Sequence, residues 1–300
     1  MHARSLARVP RCVTNVAGRP AAQCWRTVLG VTMVAAALLT SCSGQPTTSG
    51  AAHSASAVGP IPKLYPARVA LYGDSLSLQA EPYFRRLMAA EDTSNTTVYS
   101  SNGGTATCDW LATMRKMAAT AHFEAVLLEF SGNALTRCMA HVGYYTPAYY
   151  AKYGADTMAA IALWVPTGAH VFLIGAPVTR KQQESVPDWD ALNLLYAQIA
   201  AADPRHVTYV DAGAAVEGPG GTYAQTLPCS IGEPCTGPVV DGVPSNVVRS
   251  PDGVHFCPVV EVRESCPVYS AGALRFASAM VHGLVTAPGE EAEPPPGSAG

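Results

Sequence analysis

Residues 69–88 decide the fold of this chain, and they read VALYGDSLSLQAEPYFRRLM. A short apolar run is followed by Gly73-Asp74-Ser75 and then by a segment, residues 78–88, with the pattern of a helix. This order predicts a solvent-exposed serine at a strand-to-helix turn, on the carboxyl edge of an α/β sheet. The N–H groups and the dipole at a helix N-terminus favour negative charge. Such a turn suits a nucleophile that passes through an oxyanion.

A second motif far along the chain complements this serine. Asp252-Gly253-Val254-His255 offers a base and an orienting carboxylate on one short segment. Ser75, His255 and Asp252 are the three groups of nucleophilic acyl transfer. Each motif alone is also ordinary turn chemistry, because glycine supplies positive φ and Asp or Ser caps helices. The catalytic interpretation therefore depends on the whole set of motifs and on their order.

Two polar loops follow further predicted strands. Residues 100–105 read SSNGGT, and residues 131–133 read SGN. Loops at the carboxyl ends of parallel strands converge on one side of the sheet. A backbone N–H of the first loop, the side-chain amide of Asn133 and the N–H of Ser75 would give an oxyanion three donors.

The donor from the first loop has several candidates. Gly103, Gly104 and Thr107 compete for the place, and we favour Gly104.

Asp74, Glu129 and Asp211 are interpreted as structural, with Asp74 as the cap of the first helix.

Together the four blocks resemble the SGNH or GDSL hydrolases. The blocks are Gly73-Asp74-Ser75-Leu76, Gly103-Gly104, Gly132-Asn133 and Asp252-x-x-His255, and the resemblance covers about residues 67–286. The third block is shorter than the family's form, and the second is loose. The resemblance implies a catalytic triad of Ser75, His255 and Asp252, an oxyanion hole of Ser75, Gly104 and Asn133, and no cofactor. The α/β-hydrolase fold is disfavoured, because its nucleophile motif is G-x-S-x-G and this chain has no glycine at the last position. The serine also follows the first predicted strand of this chain.

The rest of the domain alternates between strands and helices. Predicted strands cover 69–72, 97–99, 125–130, 170–174 and 207–210; predicted helices reach to 91 and cover 109–121, 147–164, 189–202 and 269–285. This alternation predicts an α/β fold with helices on both faces of a parallel sheet. With the resemblance, it indicates a three-layer α/β/α sandwich around a central, mostly parallel five-stranded sheet of the SGNH/flavodoxin-like type. The Gly- and Pro-rich residues 218–250 are expected to be an irregular wall of the substrate site.

The first 41 residues have the features of an export signal. They contain five arginines and no acidic residue, and they include a short apolar run at 28–39. A basic region followed by such a run is typical of a secretory signal peptide. Leu39-Thr40-Ser41-Cys42 resembles the lipobox of bacterial lipoproteins, so we expect lipid on Cys42. The predicted organisation is a signal peptide over 1–41, a flexible tether over 42–66, the hydrolase domain over 67–286 and a disordered tail over 287–300.

The charge and the cysteines fit an exported domain. Subtracting the five leader arginines from 19 basic residues leaves 14, against 22 acidic residues, so nucleic acid is an unfavourable partner.

Six cysteines remain after the leader and Cys42 are set aside, which favours three disulfides. We favour Cys108–Cys138, since both follow presumed active-site loops, which leaves the local pairs Cys229–Cys235 and Cys257–Cys266. No C-x-x-C spacing is present, so a metal site is disfavoured.

We therefore expect an exported serine ester hydrolase that acts on a small-molecule, glycan or lipid ester of the bacterial cell envelope. It would be anchored to the membrane by N-terminal lipid, with secretion as the alternative. Two other functions stay open: an O-acyltransferase with the same Ser-His-Asp site, and a non-catalytic envelope-binding lipoprotein. The intact set of site residues disfavours the last.

Overall fold

A computed structural model describes residues 66–91, 96–259 and 266–286 of the chain. The predicted signal segment, the tether up to residue 65 and the tail 287–300 lie outside these residues, and so does Cys42. No helix in the described ranges is both long and apolar enough to span a membrane.

The described residues alternate between strands and helices as the sequence pattern predicts. The larger strands are β1 (Arg68–Gly73), β2 (Thr96–Ser101), β3 (Ala125–Glu129), β4 (His170–Ile174) and β5 (Val207–Val210). The helices are α1 (Ser75–Glu91), α2 (Thr107–Thr120), α3 (Pro147–Trp164), α4 (Arg180–Ser185), α5 (Ala191–Ala202) and α6 (Ala271–Thr286). Helix α4 was not predicted, because six residues are too few to display a helical period.

The five strands form one parallel sheet in the order β2-β1-β3-β4-β5. The chain moves outward from β1 to β2 and then returns to the other side of β1 with β3. This reversal creates a topological switch point at the carboxyl ends of β1 and β3, where ligands bind in open α/β sheets. The predicted α/β fold, with a central parallel five-stranded sheet in the flavodoxin-like strand order, is confirmed.

Helices cover both faces of the sheet, which gives three layers. Along β1, Val69 and Leu71 face the core under α1 and α6, and Ala70 and Tyr72 face the core under α2, α3 and α5. Helix α1 presents an apolar row at four-residue spacing to the first core, comprising Leu76, Ala80, Phe84 and Met88. The nucleophile turn is therefore fixed by a fully buried strand before it and a packed helix after it.

The segment 218–250 is more ordered than predicted. It contributes to a hairpin of β6 (Glu217–Gly218) and β7 (Thr222–Tyr223), and to a small sheet of β8 (Thr226–Pro228), β9 (Val239–Val240) and β10 (Val243–Val247). Strands of two to five residues are too short to show an alternating pattern, so the prediction of an irregular loop is wrong.

Three disulfides join the six cysteines in the predicted pairs, Cys108–Cys138, Cys229–Cys235 and Cys257–Cys266. The first links the start of α2 to a 3₁₀ turn at Arg137–Met139. It therefore joins the segments that follow the glycine loop and the Asn133 loop. The other two close short local loops.

We expect the double substitution Cys108→Ser/Cys138→Ser to lower the free energy of unfolding by about 3–4 kcal/mol, because the bond closes a loop between residues 30 apart. The pair Cys229→Ser/Cys235→Ser is the matched control. Its cysteines are 6 residues apart, which corresponds to about 2 kcal/mol in the same chain-entropy model. Denaturant unfolding measures both. Equal losses would contradict the loop-length account.

Candidate active site

The nucleophile turn lies between the last residue of β1 and the first residue of α1. Asp74 stands between them as the helix cap, and its Oδ1 accepts a hydrogen bond from the Leu76 N–H at 2.9 Å. Gly73 is required by close approach, because a Cβ there would lie 2.7 Å from the main-chain oxygen of Glu129. Ser75 is only 7% exposed, so the expectation of an open serine is wrong. Surrounding loops cover the turn.

The Asp252–His255 segment brings the base to this serine. The Asp252 Oδ1 accepts the N–H groups of Val254 and His255 at 2.8 and 3.0 Å, which folds the segment into a tight turn. The Asp252 Oδ2 lies 2.6 Å from His255 Nδ1, and His255 Nε2 lies 2.8 Å from Ser75 Oγ. An ionised Asp252 fixes the proton on Nδ1 and leaves Nε2 to accept the serine proton.

The electrostatics of Asp252 support this proton arrangement. Burial would raise the pKa of Asp252, but the hydrogen bonds from the His255 ring and from two backbone N–H groups outweigh it. They hold the pKa of the Asp252 carboxyl well below its usual range. Asp252 therefore stays ionised at neutral pH and stabilises the imidazolium that forms when His255 takes a proton.

A second D-x-x-H motif shows that the spacing alone is enough to form a contact between histidine and aspartate. In Asp203-Pro204-Arg205-His206, the His206 Nδ1 lies 2.8 Å from an Asp203 carboxylate oxygen, a contact of the same kind as that between His255 and Asp252. This pair precedes β5 at the amino edge of the sheet, and both side chains are substantially exposed. The motif spacing is therefore sufficient to form a local His–Asp pair. Which pair contacts a serine depends on the edge of the sheet at which the segment lies.

Residues outside the four motifs hold the histidine segment in place. Arg249, fully buried, donates to the main-chain oxygen of Val254 at 2.7 Å, and Gln225 donates to the main-chain oxygen of Arg249. The N–H of Phe256 donates to Gln79 Oε1 at 2.8 Å, which ties the segment to the nucleophile helix. None of these three side chains belongs to a motif that the sequence reveals. Gln79, a polar residue one helical turn after Ser75, is the only one with a visible signal.

The three predicted oxyanion donors differ in availability. The N–H groups of Leu76 and Ser77 donate to the carboxylates of Asp74 and Glu129, whereas the Ser75 N–H has no partner in the ranges that the structure describes. Among the described residues, the Gly104 N–H has no partner either, in a turn with φ of +77°. Thr107, the rival donor, is buried at the start of α2.

Asn133 does not present the free amide that the motif predicts. Its Nδ2 donates to Asp74 Oδ2 at 2.8 Å and to the main-chain oxygen of Thr105 at 3.2 Å. The carboxylate next to the nucleophile takes one amide hydrogen, and the glycine loop takes the other. Asn133 thus links the two loops in this structure. An oxyanion would receive its N–H only by replacing the longer bond to Thr105.

A cleft extends from this region along the sheet edge. A small gap is lined by Ser131, Trp189, Asp190 and Asn193, and the last three also line an open cavity of about 910 Å³. The cavity has four carboxylates on its walls, those of Asp188, Asp190, Asp211 and Glu217. Ser75 and His255 do not line it, so the cavity is beside the triad and not above it.

The described ranges hold one cluster of metal-ligand type, Cys108, Asp109 and Cys138. Because its two thiols are joined in a disulfide, they are not available as thiolate ligands.

Several solved structures match the chain at low sequence identity. TesA is 17% identical with a TM-score of 0.47, over 72% of this chain and 97% of its own. A putative acylhydrolase from Bacteroides fragilis is 14% identical with a TM-score of 0.47, over 75% and 89%. A catalytic mutant of Axe2, an acetylxylan esterase from Geobacillus stearothermophilus, is 13% identical with a TM-score of 0.48, over 73% and 94%.

None of the curated proteins compared with the chain matches its sequence. A family model described as protein of unknown function (DUF459) matches residues 68–259. That range contains the serine turn, both loops and the Asp252–His255 segment. The chain therefore belongs to the DUF459 family, an SGNH-hydrolase-like family, in agreement with the resemblance of its four motifs.

Proposed function

We propose that this protein is a serine ester hydrolase of the SGNH type. One observation carries the proposal: a single imidazole, that of His255, lies 2.8 Å from Ser75 Oγ and 2.6 Å from the carboxylate of Asp252. This geometry gives the serine a base and gives the base an orienting anion. It also weighs against a non-catalytic binding protein, which has no use for a hydrogen-bonded triad.

The proposed reaction has two steps. Ser75 Oγ attacks the ester carbonyl carbon while its proton passes to His255 Nε2, and the carbonyl oxygen becomes an oxyanion. Collapse breaks the bond to the alcohol oxygen, which takes the proton from His255, and an acyl-serine remains. Water then attacks the acyl-serine through the same base and releases the acid. The N–H groups of Ser75 and Gly104 and the Asn133 amide are the proposed oxyanion donors.

The cleft beside the triad supports a hydroxyl-rich alcohol, such as a carbohydrate of the cell envelope. Trp189 offers an apolar face on which a sugar ring can stack, and the carboxylates of Asp188, Asp190 and Asp211 accept hydrogen bonds from hydroxyl groups. The same cleft supports acyl transfer as a second candidate, because about 910 Å³ is enough to hold an acceptor alcohol.

We further propose export and attachment to the cell envelope through lipid on Cys42. The basic, acid-free leader, the short apolar run and Leu39-Thr40-Ser41-Cys42 support this proposal. Three disulfides in the domain are compatible with an oxidising compartment outside the cytoplasm.

A fluorophosphonate reagent should label Ser75 and no other serine, because only an activated hydroxyl reacts readily. Peptide mass spectrometry locates the adduct. Ser75→Ala should abolish labelling. An adduct that persists in that variant would remove Ser75 from the proposed role.

p-Nitrophenyl esters of increasing acyl length should be hydrolysed, and His255→Ala should lower kcat on the order of 10⁶-fold. His206→Ala is the matched control, since it breaks the other His–Asp pair and should leave kcat unchanged. A sugar acceptor added to the same assay distinguishes hydrolysis from acyl transfer. Equal losses in the two histidine variants would contradict the assignment of the base.

The mature N-terminus should be a lipid-modified Cys42, and mass spectrometry of the N-terminal peptide from the native host tests this. Cys42→Ser should abolish the modification and release the protein from membranes. An unmodified mature N-terminus elsewhere would refute lipidation and leave export standing.

A further inference from the structure

Two carboxyl side chains lie buried against the nucleophile turn. Asp74 precedes Ser75 in sequence, and Glu129 ends the neighbouring strand β3; both are 0% exposed. Neither takes part in an ion pair among the described residues. Two neighbouring buried carboxylates without a cationic partner would be very unfavourable. The protonation state of this pair therefore needs an explanation.

Asp74 has the hydrogen bonds of an ionised carboxylate. Its Oδ1 accepts the Leu76 N–H at 2.9 Å. Its Oδ2 accepts three bonds, from the N–H of Ser131 at 2.8 Å, from the hydroxyl of Ser131 at 2.6 Å and from the amide of Asn133 at 2.8 Å. Burial raises the pKa of the Asp74 carboxyl above its ordinary value, and the four donors oppose this by stabilising the charged form.

Glu129 has the opposite surroundings. Its Oε2 accepts the Ser77 N–H at 3.0 Å, and its buried Oε1 has no hydrogen-bond partner in the part of the chain that the structure describes. Ionised, Oε1 would be an unsatisfied buried anionic oxygen. Protonated, it becomes a donor, and the neighbouring Asp74 carboxylate is the acceptor. Burial and the charge of Asp74 both raise the pKa of Glu129, well above its ordinary value.

We propose that Glu129 is a neutral positioning residue that shares its proton with Asp74, and that this pair fixes the nucleophile turn and Asn133. Through Ser77 and Leu76, the pair occupies the second and third N–H groups of α1 and leaves that of Ser75 for the oxyanion. Through Asn133, it sets the distance between the serine turn and the glycine loop. Its effect on rate rests on the proposed ester hydrolysis.

The neutral state of Glu129 also limits the negative charge near the oxyanion. The other titratable groups that face the pair are Tyr153 of α3 and Tyr196 of α5, and burial raises the pKa of each above its usual range, so both stay neutral. Their hydroxyls donate to the main-chain oxygens of Asn133 and Phe130. Ionisation of Glu129 at alkaline pH would therefore place a second anion beside a forming one, and we expect kcat to fall there.

Three variants test this role by activity. Glu129→Gln keeps an acceptor for the Ser77 N–H and a donor for Asp74, so kcat at neutral pH should stay within about threefold of the unsubstituted protein, and the alkaline fall should disappear. Glu129→Leu has neither group and should lower kcat by more than about tenfold with KM nearly unchanged. Asp74→Asn should resemble Glu129→Leu. An alkaline fall that persists in Glu129→Gln, or equal losses in Gln and Leu, would overturn the proposal.

Two measurements need no reaction at all. Infrared spectra should contain a protonated-carboxyl band at neutral pH that is missing in Glu129→Gln. A raised folded-state pKa also means that the unfolded chain loses this proton first as pH rises. The Tm of Glu129→Gln minus the Tm of the unsubstituted protein should therefore increase from about pH 5 to about pH 8. A missing band, or an advantage that shrinks with pH, would refute the neutral Glu129. If esters are not substrates, these two results still decide the protonation.

Discussion

The contact between the end of β1 and the end of β3 is the constraint on which the site depends. The N–H of Asp74 donates to the main-chain oxygen of Glu129 at 3.2 Å, and the absence of a side chain at Gly73 makes this approach possible. Because β1 and β3 are neighbours at the switch point of the sheet, their loops deliver Ser75 and Asn133 to the same place. A residue larger than glycine at position 73 would push the strand ends apart and misplace the nucleophile and the amide together.

The histidine reaches the site by a different route. It is not carried by a strand of the central sheet but by a tight turn, which Arg249 and Gln225 hold from behind and Gln79 holds from the nucleophile helix. The comparison with Asp203 and His206 shows how little the D-x-x-H spacing specifies by itself. Both pairs form, and the chemistry belongs to the one that the supporting side chains bring to the carboxyl edge of the sheet.

Sequence patterns could predict much of the fold and the site, for identifiable reasons. Buried parallel strands and packed helices leave strong hydrophobic patterns. The positions of the five strands and of five of the six helices along the chain could therefore be predicted from the sequence. Short strands in 218–250 leave no such pattern. The engaged amide of Asn133 and the low exposure of Ser75 were also not predictable, because they result from contacts between loops that are far apart in sequence. Asp74 caps its helix as expected, but the burial of Glu129 against it depends on strand pairing.

The distance along the chain between the two halves of the triad has a consequence for when the protein can act. Ser75 and His255 are 180 residues apart, and the Phe256–Gln79 bond that joins their segments is almost as long-range. During synthesis, the chain therefore stays chemically silent until nearly its whole domain has emerged and closed. A partly folded or truncated form that ends before residue 255 has a serine but no base. Formation of the triad is thus coupled to the folding of nearly the whole domain.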